Sequence, residues 1–185
     1  MVTKKQNQRV KLTRQLLRNS LIELMGNKPI GKITIKEICE NSDINRSTFY
    51  AHYTDQYALL CEIENELIEH VQEHLKKIDS NAGSVQYLEA LLSYIEGHAD
   101  IFRILLCKQE NLSFQSVFIE NSFFNLKLNL SLNCSESVAS YVYNYLIMGC
   151  LSVIKQWIEA DFDMSSKNLA DLIFRLSDKA ASVVY

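Results

Sequence analysis

The side chains best suited to chemistry in this sequence stand together between Arg46 and His52. Wound as a helix at about 100° per residue, they sort by face. Phe49 and Tyr53 fall on one side and Ser47, Thr48 and Ala51 on the other. Arg46 and Tyr50 form one rim, and Thr48 grades into His52 on the opposite rim. The chemistry such a face offers is hydrogen bonding to a nucleic acid. A guanidinium at Arg46 forks onto a guanine edge, the hydroxyls of Ser47 and Thr48 reach bases or phosphates, and the Ala51 methyl touches a thymine methyl. Tyr50 and His52 suit phosphate oxygens. A major groove about 12 Å wide admits a helix deeply when its outward centre is small, as here. A short solvated surface helix shares this pattern, so the weight rests on the elements that would hold it.

Those elements are legible upstream. Thr34-x-x-Glu37 is a capping-box pattern opening a helix that ends near Asn41, with Ile35 and Ile38 facing inward. Ser42-Asp43-Ile44 makes a three-residue turn, and Asn45 is a good N-cap for the next helix, which is expected to run to about Tyr53. Ile44 and Phe49 have hydrophobic-staple spacing, which fixes the angle between turn and helix. An earlier helix over 12–25 carries Leu17, Leu21 and Leu24, and Gly26 stops it. A fourth helix begins around Asp55 with the stripe Leu60, Ile63, Leu67, Val71, Leu75 and Ile78. The run 79–83 reads as a loop. Further helices are expected at about 84–98, 100–108, 113–130, 136–160 and 166–183. The fold class is therefore all-α, with an N-terminal three-helix domain over 1–54 and a C-terminal helical domain over 55–185.

Composition agrees. One Pro and five Gly among 185 residues leave few helix breakers. Residues 1–55 hold ten Lys/Arg against five Asp/Glu, a balance of +5, while residues 56–185 hold nine against seventeen, −8. A basic head on an acidic body points to a polyanionic partner for the head alone. The five cysteines, Cys39, Cys61, Cys107, Cys134 and Cys150, form no C-x-x-C pair, and the polar, basic start of the chain is not a signal peptide. They read as reduced thiols in a cytoplasmic protein.

The segment TIKEICENSDINRSTFYAHY resembles the signature of the TetR family of regulators, and RQLLRNSLIELM resembles that family's opening helix. The likeness covers about residues 12–65, with Thr48 and Tyr50-x-His52-Tyr53 its most specific part. NRSTFYAHY is particularly similar to a subgroup that includes activators of dihydroxyacetone-kinase operons. The resemblance implies phosphate contacts from Thr34, Tyr50 and His52 and base-side contacts around Arg46, Ser47 and Thr48. The candidate DNA-binding set is Thr34, Lys36, Asn45, Arg46, Ser47, Thr48, Tyr50, Ala51 and His52. The resemblance also implies a ligand-responsive homodimer acting as a repressor on a palindromic double-stranded operator. Two positions depart from the family pattern. Asp43 stands where Gly is usual, which Asp tolerates because its short side chain suits left-handed geometry. Gln56 stands where the fourth helix often opens with a phosphate-binding Lys.

Other function classes find less in the sequence. There is no Gly-rich phosphate loop, G-x-S-x-G or H-E-x-x-H, so no catalytic residue, metal site or cofactor is assigned. His70 and His74 stand four apart, as metal ligands can, but without a third ligand nearby in sequence. The body is rich in aromatics. Tyr94, His98, Phe102 and Tyr145 are candidates to line a pocket for a small-molecule effector. The alternative is a transcriptional activator whose body binds a protein co-regulator. Between Ser137 and Ile158 the only charge is Lys155, so this helix is expected to be buried on more than one side. Ser140, Asn144, Ser152, Lys155 and Gln156 interrupt it too often for a membrane span. Ile147, Leu151, Ile154, Ile158, Leu172 and Leu176, from the last two helices, form the candidate homodimer interface.

Overall fold

The computed structural model describes residues 4–78, 83–108, 112–123 and 135–182. All regular structure among them is helical. The chain divides into two compact units, Met1–Leu67 and Ile68–Tyr185.

The first unit opens with α1, Lys4–Met25, which buries Leu17, Ser20, Leu21 and Met25. It extends well beyond the 12–25 stripe toward the N-terminus. A single 3-10 turn, Ile30–Lys32, leads into α2, Ile35–Ser42. The capping box is present in full: Glu37 N–H donates to the Thr34 hydroxyl at 3.2 Å, and Thr34 N–H donates to the Glu37 carboxylate at 2.9 Å. Such a cap contributes about 1 kcal/mol. Asp43 closes α2 in the left-handed conformation, with φ 54° and ψ 38°. The turn thus keeps the geometry that a glycine would have supplied.

Helix α3 spans Arg46–Tyr50 and is shorter than the sequence suggests; Ala51 and His52 continue as a turn. Asn45 takes the N-cap position with extended backbone, but its side chain makes no capping bond. Helix α4, Gln56–Leu75, begins after Asp55, whose carboxylate accepts from Ala58 N–H at 2.8 Å. The boundary between units falls inside α4, later than the 54/55 junction expected from sequence. Within the first unit this helix sends side chains back to α1: Glu62 pairs with Arg14 at 2.9 Å, and Glu66 pairs with Arg18.

In the second unit α5 (Ser84–Gly97) packs on α9 (Ser166–Ser182), and α8 (Glu136–Glu159) packs on both α9 and a π-helical segment, Arg103–Lys108. That segment continues α6, Ala99–Phe102, and α7, Leu112–Phe123, packs against it and α8. The expected helix over 113–130 is described only as far as Phe123, and residues 79–82 of the expected loop also lie outside the described residues. The core here is aromatic: Phe102, Phe114 and Phe118 are fully buried, with Phe118 5.7 Å from Phe102 and 5.9 Å from Phe114 between ring centroids. Arg103 bridges to the end of α8, donating to the Ile158 carbonyl at 3.1 Å and the Asp161 carboxylate at 2.8 Å. By length and composition α8 could cross a membrane. One side of it, Leu146, Cys150, Leu151, Ile154, Trp157 and Ile158, is buried within the chain.

Candidate DNA interface

The faces of α3 and its following turn sort as their spacing dictates. Phe49 is 0% exposed and Tyr53 nearly as buried, with their rings 5.7 Å apart. Arg46, Ser47, Tyr50 and Ala51 are exposed, and Thr48 and His52 are half-buried on the far rim. Burial of Phe49 anchors the helix; truncating such a side chain costs about 3–5 kcal/mol. The unit therefore presents a short helix with a small centre and donors on its rims. Thr34, Lys36 and Asn45 are exposed as well, at the starts of α2 and α3.

Two of these residues have prior engagements. The Thr34 hydroxyl serves the capping box, donating to Glu37 at 2.9 Å while accepting from its N–H. Lys36 lies 3.6 Å from Glu40, with both side chains more than 60% exposed, a pair worth little in water. Glu37 carries a firmer load: Lys28 lies 2.5 Å away, and that bond, followed by those from Thr34, lowers its pKa to about 2.

The charge of the compact unit is smaller than that of residues 1–55 alone. Glu62, Glu64 and Glu66 belong to the same compact unit as the basic residues, so Met1–Leu67 holds ten Lys/Arg against eight Asp/Glu, a balance of +2. Arg14, Arg18, Lys28 and Lys36 are occupied by carboxylates. Among the described residues no carboxylate stands within ion-pair distance of Arg9, Lys11, Lys32 or Arg46. These four remain available to an outside anion. Arg9, Lys11 and Lys32 were not singled out from the sequence; only the pairing of the other cations distinguishes them.

The residues assigned to the body fare differently. Tyr94 stacks on His98 at 4.1 Å, meets Phe102 edge-on at 6.2 Å, and lies 5.0 Å from His74. His98 Nδ1 is 2.8 Å from the Tyr94 carbonyl. Tyr145 does not line this cluster; it borders a groove of about 610 Å³ between α8 and α9. The dimer assignment needs correction at three positions. Leu151, Ile154 and Ile158 are 3%, 0% and 0% exposed, because that side of α8 faces the chain's own core. Ile147 and Leu172 are half-buried, and Leu176 is 55% exposed. The exposed large apolar side chains of the pair are Val138, Tyr141, Tyr143, Tyr145, Met148 and Leu176, which periodicity alone does not separate from the buried ones. Among the described residues no group of three His, Cys, Asp or Glu is placed to hold a metal, and Cys39, Cys61, Cys107 and Cys150 are free thiols.

A capped helix, a left-handed turn and a short outward-facing helix with a small centre define a helix-turn-helix regulator. The family model described as a transcriptional regulator C-terminal region, of TetR type, matches residues 84–179, just over half of the chain. The chain belongs to the TetR family of transcriptional regulators. It is similar to the HTH-type transcriptional regulator YxbF of Bacillus subtilis, 19% identical over 167 residues. That match covers 86% of this chain but 43% of YxbF, so the chain spans less than half the length of that relative. Among solved structures, a TetR transcriptional regulator from Streptococcus agalactiae superposes with a TM-score of 0.74 at 20% identity, covering 92% of this chain and 96% of the other. The dihydroxyacetone kinase operon activator DhaS shares the fold at a TM-score of 0.55 and 17% identity, covering 93% and 97%.

Proposed function

We propose that this DNA-binding regulator acts in the cytoplasm as a homodimeric repressor on an inverted-repeat operator, with α3 as the reading helix. The observation that carries this reading is the outward face of α3: Arg46, Ser47, Tyr50 and Ala51 exposed over a buried Phe49. Arg46 reads a guanine, Ser47, Thr48 and Ala51 sit over base edges, and Tyr50 and His52 hold phosphates, joined by Thr34 when its hydroxyl proton turns from Glu37 to a phosphate. Lys36 and Asn45 flank the same face.

The second copy docks on the outward face of α8 and α9. Tyr145, Met148, Gly149, Val153, Ile173 and Leu176 line its groove, and the exposed rings and thioether there are the kind of surface that pairs with a copy of itself. Tyr94 and His98, stacked at 4.1 Å with the buried Phe102 edge-on to Tyr94, are the place for a small effector. Its binding shifts the balance between operator-competent and incompetent forms by its differential affinity for them.

Selecting duplex fragments from a random library with the purified protein tests the reading. The expected product is an inverted repeat whose half-sites lie about 10–10.5 bp apart or a multiple of it. Enrichment of no sequence, or of a direct repeat, would count against it. Transcription from the selected site with and without the protein gives the sign: activation would overturn the repressor assignment.

A further inference from the structure

Glu37 stands beside the hydroxyl that a phosphate is to use. It is the third residue of α2, and its Oε2 accepts from both the Thr34 N–H and the Thr34 hydroxyl at 2.9 Å. A phosphate that takes the Thr34 hydroxyl proton comes within about 6 Å of this carboxylate, since each hydrogen bond spans about 3 Å. Two anions that close repel. The carboxylate does not escape by binding a proton, because its pKa is lowered to about 2. Its charge has to be met by a cation.

Lys28 is that cation. Its Nζ lies 2.5 Å from Glu37 Oε1, the oxygen that Thr34 leaves open. The backbone carrying it is fixed: Lys28 N–H donates to the Leu24 carbonyl at 3.1 Å, at the end of α1, and Pro29 follows with φ −61°. Both side chains are partly shielded, at 30% and 38% exposure, unlike the open Lys36–Glu40 pair. The division of donors decides what happens when a phosphate arrives. The Thr34 hydroxyl oxygen keeps accepting from the Glu37 N–H at 3.2 Å while its proton turns outward. Glu37 keeps Lys28 on one oxygen and the Thr34 N–H on the other. The cap survives, and neither carboxylate oxygen loses its last donor.

We propose that Lys28 is a positioning residue for DNA binding: by holding and neutralising Glu37 it frees the Thr34 hydroxyl for a phosphate, without touching the DNA itself. The proposal rests on the assignment of Thr34 to a phosphate given above.

Binding of the full-length protein to a mixed-sequence duplex at about 100 mM salt, where the screening length is about 10 Å, tests this. Lys28→Gln should weaken binding by about tenfold, the effect of two anions about 6 Å apart at a surface between protein and water. Lys28→Arg keeps the charge and should retain the affinity. Glu37→Gln preserves the capping pattern and releases the Lys28 charge, so it should tighten binding, whereas a pair with a purely structural role would weaken it. Lys28→Gln/Glu37→Gln should bind like wild type, because both charges are gone. Lys167→Gln makes the same charge change on exposed α9 surface and should alter binding little. Wild-type affinity in Lys28→Gln, a loss that Glu37→Gln does not reverse, or an equal loss in Lys167→Gln overturns this inference alone. Should Lys28→Gln fail to fold by circular dichroism, the sign of the Glu37→Gln effect still decides. Thr34→Gly keeps most of the cap but removes the hydroxyl, and should weaken every duplex equally. Wild-type affinity in Thr34→Gly, with Arg46→Ala still impaired, overturns the Thr34 assignment together with this inference and leaves α3 as the reader.

Discussion

The Tyr53 hydroxyl donates to a Glu62 carboxylate oxygen at 2.8 Å, and Arg14 holds both partners, 2.9 Å from Glu62 and 5.9 Å from the centre of the Tyr53 ring. Three helical segments meet in these three residues: α1, the turn after α3, and α4. A five-residue helix is too short to be stable alone. Phe49 fixes its middle by burial and the Tyr53 bond fixes its end, so the direction of the reading helix is set by neighbours. Burial first, and the Glu62 bond second, push the Tyr53 phenol up to about 12, so it keeps its donor proton throughout the physiological range.

Tyr53→Phe isolates that bond. The ring and its burial remain, Glu62 keeps Arg14, and only the O–H is lost. The expected cost is about 0.5–1.5 kcal/mol in urea unfolding. DNA affinity should fall by the same factor on all sequences, since the helix is loosened and no reader is removed. A stability equal to that of Tyr50→Phe, at an exposed hydroxyl, would show that the Glu62 bond does not hold the head together.

The Glu37 carboxylate makes a pH prediction with a definite sign. Its folded pKa is lowered from 4.5 to about 2, chiefly by Lys28 and then by Thr34. A depressed carboxylate contributes stability that is present above the unfolded value and lost as pH falls through the folded one. Glu37→Gln should therefore be less stable than wild type at neutral pH, with the difference shrinking between pH 4.5 and about 2. Acid unfolding followed by circular dichroism measures it. A gap that stays constant over that window would mean that the capping geometry matters and its charge does not.

How much of this was legible beforehand depends on whether the signal is local. The capping box at Thr34 and Glu37, the turn at Asp43 and the inward side of α3 are set by neighbouring residues, and each is found in the structure. The length of α3 was not legible, because Tyr53 continues the apolar side of the helix while its backbone has already left it. Asn45 has the right identity for a cap yet makes no cap bond. The charge of the head was misjudged because Glu62 and Glu66 are distant in sequence from Arg14 and Arg18. Helix α8 is apolar nearly all round, and periodicity then gives no direction. Only packing against the π-helical segment and α9 tells Ile154 from Met148.

That distinction yields a test of the proposed dimer. Met148→Glu and Leu176→Glu change exposed residues of the α8–α9 face, at 52% and 55% exposure, and should give folded monomers by light scattering at micromolar concentration. Ile154→Glu buries a carboxylate in the chain's own core, so it should unfold the body instead. Dimers that persist in both surface variants would place the interface elsewhere. A wild-type monomer would end the assignment.

In the proposed reading, Arg46 and Tyr50 separate base reading from positioning on one rim of α3. Both are exposed, one helical turn apart, and neither side chain has a hydrogen-bond or ion-pair partner among the described residues. Arg46 begins the helix, where the proposed reading has its forked guanidinium on a guanine edge. Arg46→Ala should then cost about 1–3 kcal/mol and relax preference at one position per half-site. The Tyr50 ring packs edge-on against Phe49 at 5.8 Å, and in the proposed reading its exposed hydroxyl serves a phosphate. Tyr50→Phe keeps that ring contact and removes the donor, so it should weaken every sequence by a similar factor. Competition binding against the selected operator and its single-base variants compares the two. A uniform loss for Arg46→Ala together with an altered base preference for Tyr50→Phe would reverse the roles. If both variants bound like wild type, α3 would not be the reading helix.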